Sequence, residues 1–387
     1  MVRRAVDDVM AELIGPLLEA KPAPEQWRLE SWDAEQGLQL SLARGDVVVL
    51  VELETRDDAR ACHARTARFN VCARRTFRAD LPLGVDERRA VDQLVAMIRS
   101  REGRLPVVER QATSRSSAVR EIEVDRVLMP EGLGHYYINP YAGCMIGCPF
   151  CYVDERADLS RALEGLPKMD WGRWVDVKIN AAEVLRREVR IHTTGIVRMS
   201  PILTDPYQPL ERHYRVTRQC LEVLLDAGGF TPFVLTRGAR IRDDLALLAR
   251  FPAAVVGLSI PTDDDRMRAA FEPGADPIEA RLEALAEAKR LGLRTFAVIQ
   301  PMLPMDVDRL VDLVAPHVGV VRIDRMHRMD RALPLYEAAG CVWAAEDAFF
   351  ERTAAALHTR FRERGVGTDD LDDVAAALGV TPSGIVA

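Results

Sequence analysis

Hydrophobic and polar positions change rhythm along this chain. Over the first hundred residues the pattern is mixed. A helical spacing from about Val2 to Ala20, interrupted at Pro16, gives way to strand-like runs. Those runs are Trp27 to Asp33, Leu38 to Leu42 and Val47 to Leu53. In the second, Leu38, Leu40 and Leu42 alternate with Gln39 and Ser41, so one face is buried and the other wet. Asp33-Ala34-Glu35-Gln36-Gly37 and Ala43-Arg44-Gly45-Asp46 read as the hairpin turns between them. A helix from about Val85 to Arg101 closes a small α+β domain over residues 1–102. Within it, Arg60 to Arg78 is arginine-rich and carries Cys62, His63 and Cys72. C-H-x8-C matches no defensible ligand spacing, so a basic solvated face is expected there.

From His135 short apolar runs alternate with longer amphipathic ones. Strands are expected at Tyr136 to Pro140, Ile196 to Ile202, Pro232 to Thr236, Val255 to Ile260, Thr295 to Gln300 and Val320 to Ile323. Helices are expected at Ala181 to Val189, Glu211 to Ala227, Arg242 to Ala249, Asp276 to Leu291 and Val307 to Ala315. This alternation predicts an α/β fold with a parallel sheet and outer helices. Six strands rather than eight predict a partial (β/α)6 TIM-like barrel over residues 135–330, with its active site at the C-terminal strand ends. Residues 103–134 read as a connector, polar at Ala112-Thr113-Ser114-Arg115-Ser116-Ser117. Residues 331–387 read as a helical extension, with helices at Glu346 to Arg364 and Asp369 to Leu378.

The 387 residues are 48% hydrophobic and 29% charged, enough for a sizeable core. A net charge of −7 argues against a protein whose principal work is gripping nucleic-acid phosphate, although a local basic groove would escape this count. No apolar run approaches a membrane span, and Met1 to Gly15 lacks the apolar core of a signal peptide. Seven cysteines, an odd number, suit a reducing cytoplasm better than a disulfide framework.

Three of them stand in Asn139-Pro140-Tyr141-Ala142-Gly143-Cys144-Met145-Ile146-Gly147-Cys148-Pro149-Phe150-Cys151-Tyr152, at the end of the first strand of the sheet. Thiolates are the usual ligands of iron–sulfur clusters, and a 4Fe–4S cube normally takes four. Cys144, Cys148 and Cys151 supply three, which leaves one iron open for chemistry. A zinc site would pair C-x2-C with a second Cys or His pair at a distance, and none is evident. Three unrelated core cysteines are the remaining alternative.

The cysteine motif resembles that of the radical S-adenosylmethionine superfamily. Thr204-Asp205-Pro206-Tyr207-Gln208-Pro209-Leu210-Glu211 is similar to a loop of its spore photoproduct lyase-like subfamily. Phe271-Glu272-Pro273-Gly274, Arg281-Leu282, Lys178 and Asn180 also look like that subfamily, in structural or pocket-lining roles. The resemblance covers about residues 134–325. It implies that S-adenosylmethionine chelates the open iron and is cleaved to a 5′-deoxyadenosyl radical, which abstracts hydrogen from a substrate. It also implies site roles. Phe150 would pack near the adenine, and Ser200, Thr204 and Asp205 are candidates to hold the methionyl amine. Arg237 would take the carboxylate where subfamily members commonly carry lysine, its fork suited to bidentate pairing. Ser259 would contact the ribose or carboxylate, and Gln300 lies near the adenine.

No further cysteine follows Cys151 at short range, which departs from the lyase that names the subfamily. Cys341 and Tyr207 are therefore carried as candidate hydrogen donors or pocket residues, beside Tyr152 and Tyr336. The expected substrate is a small molecule or peptide, with flavodoxin or ferredoxin as electron donor. A DNA-photoproduct lyase and a non-catalytic iron–sulfur protein are the alternatives.

Overall fold

In the computed structural model, residues 117–132 and 134–368 are described throughout. Of the rest, residues 9–15, 17, 26–33, 39–45, 47–57, 66–77, 84–101, 105, 108–109, 378 and 379 are described. Contacts divide the chain into two units, residues 1–116 with 153–170, and residues 117–152 with 171–387.

The first unit holds a five-stranded antiparallel sheet in sequence order: β1 (Arg28–Asp33), β2 (Gln39–Arg44), β3 (Val47–Asp57), β4 (Thr66–Phe77) and β5 (Val108–Glu109). Leu40, Leu42, Val49 and Val51 alternate onto the face packed by Leu13 and Ile14 of the helix at residues 9–15 and by Val91, Leu94 and Ile98 of the helix Val85–Arg99. The arginine-rich segment differs from expectation. Twelve of its residues form β4, paired with β3 from Ala67 to Phe77. Charged residues hid this strand, although Ala67, Phe69, Val71 and Ala73 keep a period of two. Cys62 and His63 lie outside the described residues, as do the polar stretch 112–116 and most of the expected C-terminal helix at 369–378. The helix Val153–Leu163, which had no sequence counterpart, groups with this unit.

The second unit is built on a seven-stranded sheet ordered β15-β14-β13-β12-β11-β8-β7. Its strands are β7 (Met129–Gly132), β8 (His135–Tyr137), β11 (Gly195–Met199), β12 (Phe230–Thr236), β13 (Val255–Ser259), β14 (Arg294–Ile299) and β15 (Val320–Ile323). β8 and β11 to β15 are all parallel, and β7 adds antiparallel to β8. These six parallel strands are the six expected, with ends that differ by a few residues. Their spatial order never reverses, so right-handed crossovers put the connecting helices on one face.

Side-chain alternation separates the two faces. Val197, Val234, Val256, Ala297 and Val321 join the helix-side core with Leu221, Leu285 and Leu310. Ile196, Phe233, Leu235, Val255, Phe296 and Val298 form a smaller cluster on the other, inner face, where Phe233 and Phe296 stack with centroids 4.9 Å apart.

Two expectations are corrected here. The helix expected over Glu211 to Ala227 is broken into Glu211–Tyr214 and Val216–Ala227 by Arg215, a left-handed residue with φ of 53°. The segment read as a connector contributes β6 (Ala118–Ile122) and β7. β6 pairs with β10 (Trp174–Lys178), which also pairs with β9 (Tyr141–Ala142). β10 is buried at every position, and its Asp176 is held bidentately by Arg120 with both contacts at 2.8 Å. Two charged residues among five masked this strand in the sequence.

Candidate functional site

The cysteine loop begins where β9 ends. Gly143 has φ of +84°, and a Cβ there would lie 2.5 Å from Trp174 O and 2.7 Å from its ring. Only glycine fits against that floor. The loop following β11 clamps it from another side. Gly143 N donates to Leu203 O at 3.2 Å, and Thr204 Oγ1 donates to Gly143 O at 2.7 Å. Gln208, fully buried, donates from Nε2 to Thr204 Oγ1 at 2.8 Å and accepts from Met145 N at 2.9 Å. The place of Gln208 inside the Thr204–Glu211 motif was the signal that the sequence offered for it.

Within this clamp Cys144 and Cys148 are buried and Cys151 is half-buried. Burial, with Asp205 adding repulsion, pushes the Cys144 thiol up to about 12. Burial also pushes Cys148 well up, with the Arg237 charge opposing. Among the described residues no three His, Cys, Asp or Glu side chains converge to hold a single metal ion. A cube does not require that convergence, because it spreads its thiolates over separate irons.

Asp205 is buried and its carboxylate is committed. It accepts from Thr236 Oγ1, from Tyr207 N at 2.9 Å and from Arg237 N at 2.7 Å. Burial raises its pKa despite these donors. Its bonds fasten the loop after β11 to the end of β12. Thr204 is likewise spent on the cysteine loop. The structure thus brings both beside the cysteines as supports.

Ser200, Arg237, Ser259 and Gln300 stand at the C-terminal ends of β11, β12, β13 and β14. Counting two residues on from Arg198, Leu235, Gly257 and Val298 sets them on the inner face. Arg237 Nε donates to Glu272 Oε1 at 2.6 Å and Nη2 to Gln300 O at 3.2 Å. Glu272 is fully buried between Arg237 and Arg281, whose Nη1 lies 2.8 Å from Glu272 Oε2 and donates to Ser259 O at 2.8 Å. Burial alone would raise the Glu272 carboxyl, but Arg281 and Arg237 outweigh it and hold the group below its usual range. Phe150 is buried with its ring tilted against Phe271, centroids 6.4 Å apart.

Tyr207 and Cys341 are buried in the same core cluster as Cys144, Cys148 and Phe150; the Tyr207 hydroxyl is spent on Asp244 Oδ2 at 3.0 Å, and Cys341 N donates to Tyr336 O at 2.9 Å. Tyr152 donates to Pro201 O at 3.1 Å.

Glu211 was missed by the sequence reading. Its carboxylate accepts from Tyr141, from Thr217 N at 3.1 Å and from Arg218 N at 3.1 Å, capping the helix that Arg215 opens and tying it to β9. Burial pushes its pKa up to about 7. A raised folded pKa means that the contribution is fully present below the unfolded value and is lost as pH rises through about 7. The loss is on the order of 3 kcal/mol. Urea unfolding across that window should show this slope in the wild type and not in Glu211→Gln. An unchanged slope in the variant would remove Glu211 as its source.

Comparison with known proteins falls on the same region. Residues 138–314 match the family model described as the radical SAM superfamily. An uncharacterized protein of Methanocaldococcus jannaschii is 28% identical over 183 residues, 47% of this chain and 66% of that protein. The radical SAM Nalpha-GlyT isomerase of Pseudomonas phage M6 is 30% identical over 167 residues, 43% of this chain and 33% of that protein. The chain thus spans less than two thirds of the length of these relatives. Among solved structures, a spore photoproduct lyase mutant aligns at a TM-score of 0.46 and 11% identity, over 65% of this chain and 80% of that one. SuiB of Streptococcus suis bound to S-adenosylmethionine aligns at 0.38 and 10%, over 77% and 56%. The C-x3-C-x2-C loop that follows β9 falls inside the segment, residues 138–314, that matches the radical SAM superfamily model.

Proposed function

We propose that this protein is an enzyme that uses S-adenosylmethionine-derived radical chemistry to take hydrogen from a small molecule or peptide. The observation that carries the reading is the locked three-cysteine loop beside Ser200, Arg237, Ser259 and Gln300 at adjacent strand ends. The superfamily's cofactors are a 4Fe–4S cluster and S-adenosylmethionine. When bound, the pair supplies a carbon-centred radical able to attack an unactivated C–H bond.

The residues fit these groups. Three thiols, two of them buried, need a positive partner to ionise, and iron provides one. Cys144, Cys148 and Cys151 would hold the cluster. Arg237 keeps its charge beside the loop and would take the cofactor's carboxylate. Ser200 and Ser259 would face its amine and ribose, and Phe150 and Gln300 its adenine. Asp205, Thr204 and Gln208 hold the frame in register. We read the singly wound sheet as a partial barrel whose inner face orients substrate and excludes water.

The test is anaerobic reconstitution followed by dithionite. The protein should hold about one cluster per chain and release 5′-deoxyadenosine. Failure to cleave the cofactor would leave only the binding-protein reading. Candidate compounds are then screened for deuterium transfer. The phage relative favours a second reading, an isomerase. A product isomeric with its substrate would mark it, and a product of different composition would exclude it. Salt-dependent DNA binding would instead favour a DNA-photoproduct lyase. The reductant is proposed to be a flavodoxin or ferredoxin.

Tyr207→Phe and Cys341→Ala should both leave 5′-deoxyadenosine formation unchanged. Tyr207→Phe should cost about 1 kcal/mol of stability through the lost bond to Asp244. A loss of turnover without loss of stability would return either residue to the site.

A further inference from the structure

Arg237, Glu272 and Arg281 form a buried row with two positive charges and one negative. Both carboxylate oxygens of Glu272 face a guanidinium, at 2.6 and 2.8 Å. Glu272 and Arg281 are fully buried, and Arg237 keeps 17% of its side chain exposed. The Asp205 carboxylate accepts from the Arg237 backbone N–H at 2.7 Å while Glu272 takes Nε, so what the row offers at its inner-face end is the remaining edge of the guanidinium, a place for an anionic ligand to dock.

Glu272 also sets where Arg237 points. It engages Nε, and Gln300 O engages Nη2. A guanidinium gripped on one edge has few orientations left, and the remaining N–H groups form a preset fork for a carboxylate.

The same short segment touches the cysteine loop. Gly274 N donates to Ile146 O at 3.0 Å. A Cβ on Gly274 would come within 2.6 Å of Met145 O and 2.8 Å of Ile146 Cα. A single residue, Pro273, thus separates the group that aims Arg237 from the group that braces the loop between Cys144 and Cys148.

We infer that Glu272 is the positioning residue of the cofactor-carboxylate site, and that Glu272-Pro273-Gly274 is a strut joining Arg237 to the cysteine loop. Carboxylate capture and cluster seating are then mechanically one site. This rests on the functional reading above and adds a residue to it. Glu272 acts through Arg237 and touches neither substrate nor cofactor.

The test uses reconstituted full-length protein and measures S-adenosylmethionine binding by equilibrium dialysis, beside iron and sulfide content and the unfolding midpoint of the cluster-free chain. Glu272→Gln keeps the shape and removes the charge. It should retain a full cluster while weakening cofactor binding roughly tenfold or more. Arg237→Gln should weaken it at least as much, and Glu272→Gln added to Arg237→Gln should cause no further loss. Gly274→Ala should lower cluster content directly. Wild-type affinity in Glu272→Gln overturns the inference, and so does an additive loss in the double variant. Loss of cluster and stability in Glu272→Gln, with normal affinity in the loaded fraction, would assign a purely structural role and also overturn it. If the wild-type protein itself binds no S-adenosylmethionine, the functional reading fails first.

Discussion

Cys148→Ala is expected to reduce iron and sulfide from a full cluster to near background after anaerobic reconstitution. The cysteine loop offers three thiols and holds them in a frame that cannot shift to recruit another. Gly143 sits on Trp174, and Met145 is held by Gln208. Two further cysteines are themselves engaged in packing: Cys220 lies buried in the helix Val216–Ala227, and Cys341 is buried just beyond the helix Met329–Ala338. Iron and acid-labile sulfide per chain and the visible absorption of the cluster measure the outcome. A Cys148→Ala protein with a full cluster that still forms 5′-deoxyadenosine would dismantle the functional reading.

The second large effect is on the fold. Gly143→Ala forces a Cβ into the Trp174 carbonyl and ring from a backbone angle that L side chains rarely adopt. Strain at such an angle costs about 1–3 kcal/mol, and overpacking a filled core costs about the same again. Together they approach a good part of the stability of an ordinary domain, about 5–15 kcal/mol. The urea midpoint of the cluster-free protein should fall steeply, and cluster yield with it. Gly292→Ala is the control, with φ of +78° and no atom within 4 Å of the new methyl. It should cost only about 1 kcal/mol. Equal losses in the two variants would show that backbone conformation alone, and not the Trp174 floor, makes Gly143 necessary.

Much of the sheet was legible because its strands are buried on both faces. Short apolar runs such as Val255–Ser259 between amphipathic helices have few other readings. The strands that escaped notice carry charge. β10 buries Asp176 through a pairing with Arg120, fifty-six residues earlier, which no local pattern reveals. The break at Arg215 was hidden because the compensating group, Glu211, is a side chain bonding to backbone across the break. At the site, the resemblance to the subfamily nominated Ser200, Arg237, Ser259 and Gln300, and the structure sets all four at strand ends. Distinguishing them from Thr204 and Asp205 needed coordinates, because all six are polar and the difference lies in which partners are already taken. The pairing of Arg237 with Glu272 joins the end of one strand to the helix beyond the next, and sequence spacing has no means of stating it.

β6 bears on where this protein could be cut. Its five residues precede the family-matched segment, yet they hold one long edge of β10, the strand on which the cysteine loop rests. A fragment beginning at residue 138 would lose that edge strand and, with Arg120, the bidentate ion pair that holds Asp176 in the interior. It would also end before β15, baring the β14 edge to any passing strand. The stretch that homology delimits is therefore smaller than the stretch that folding requires.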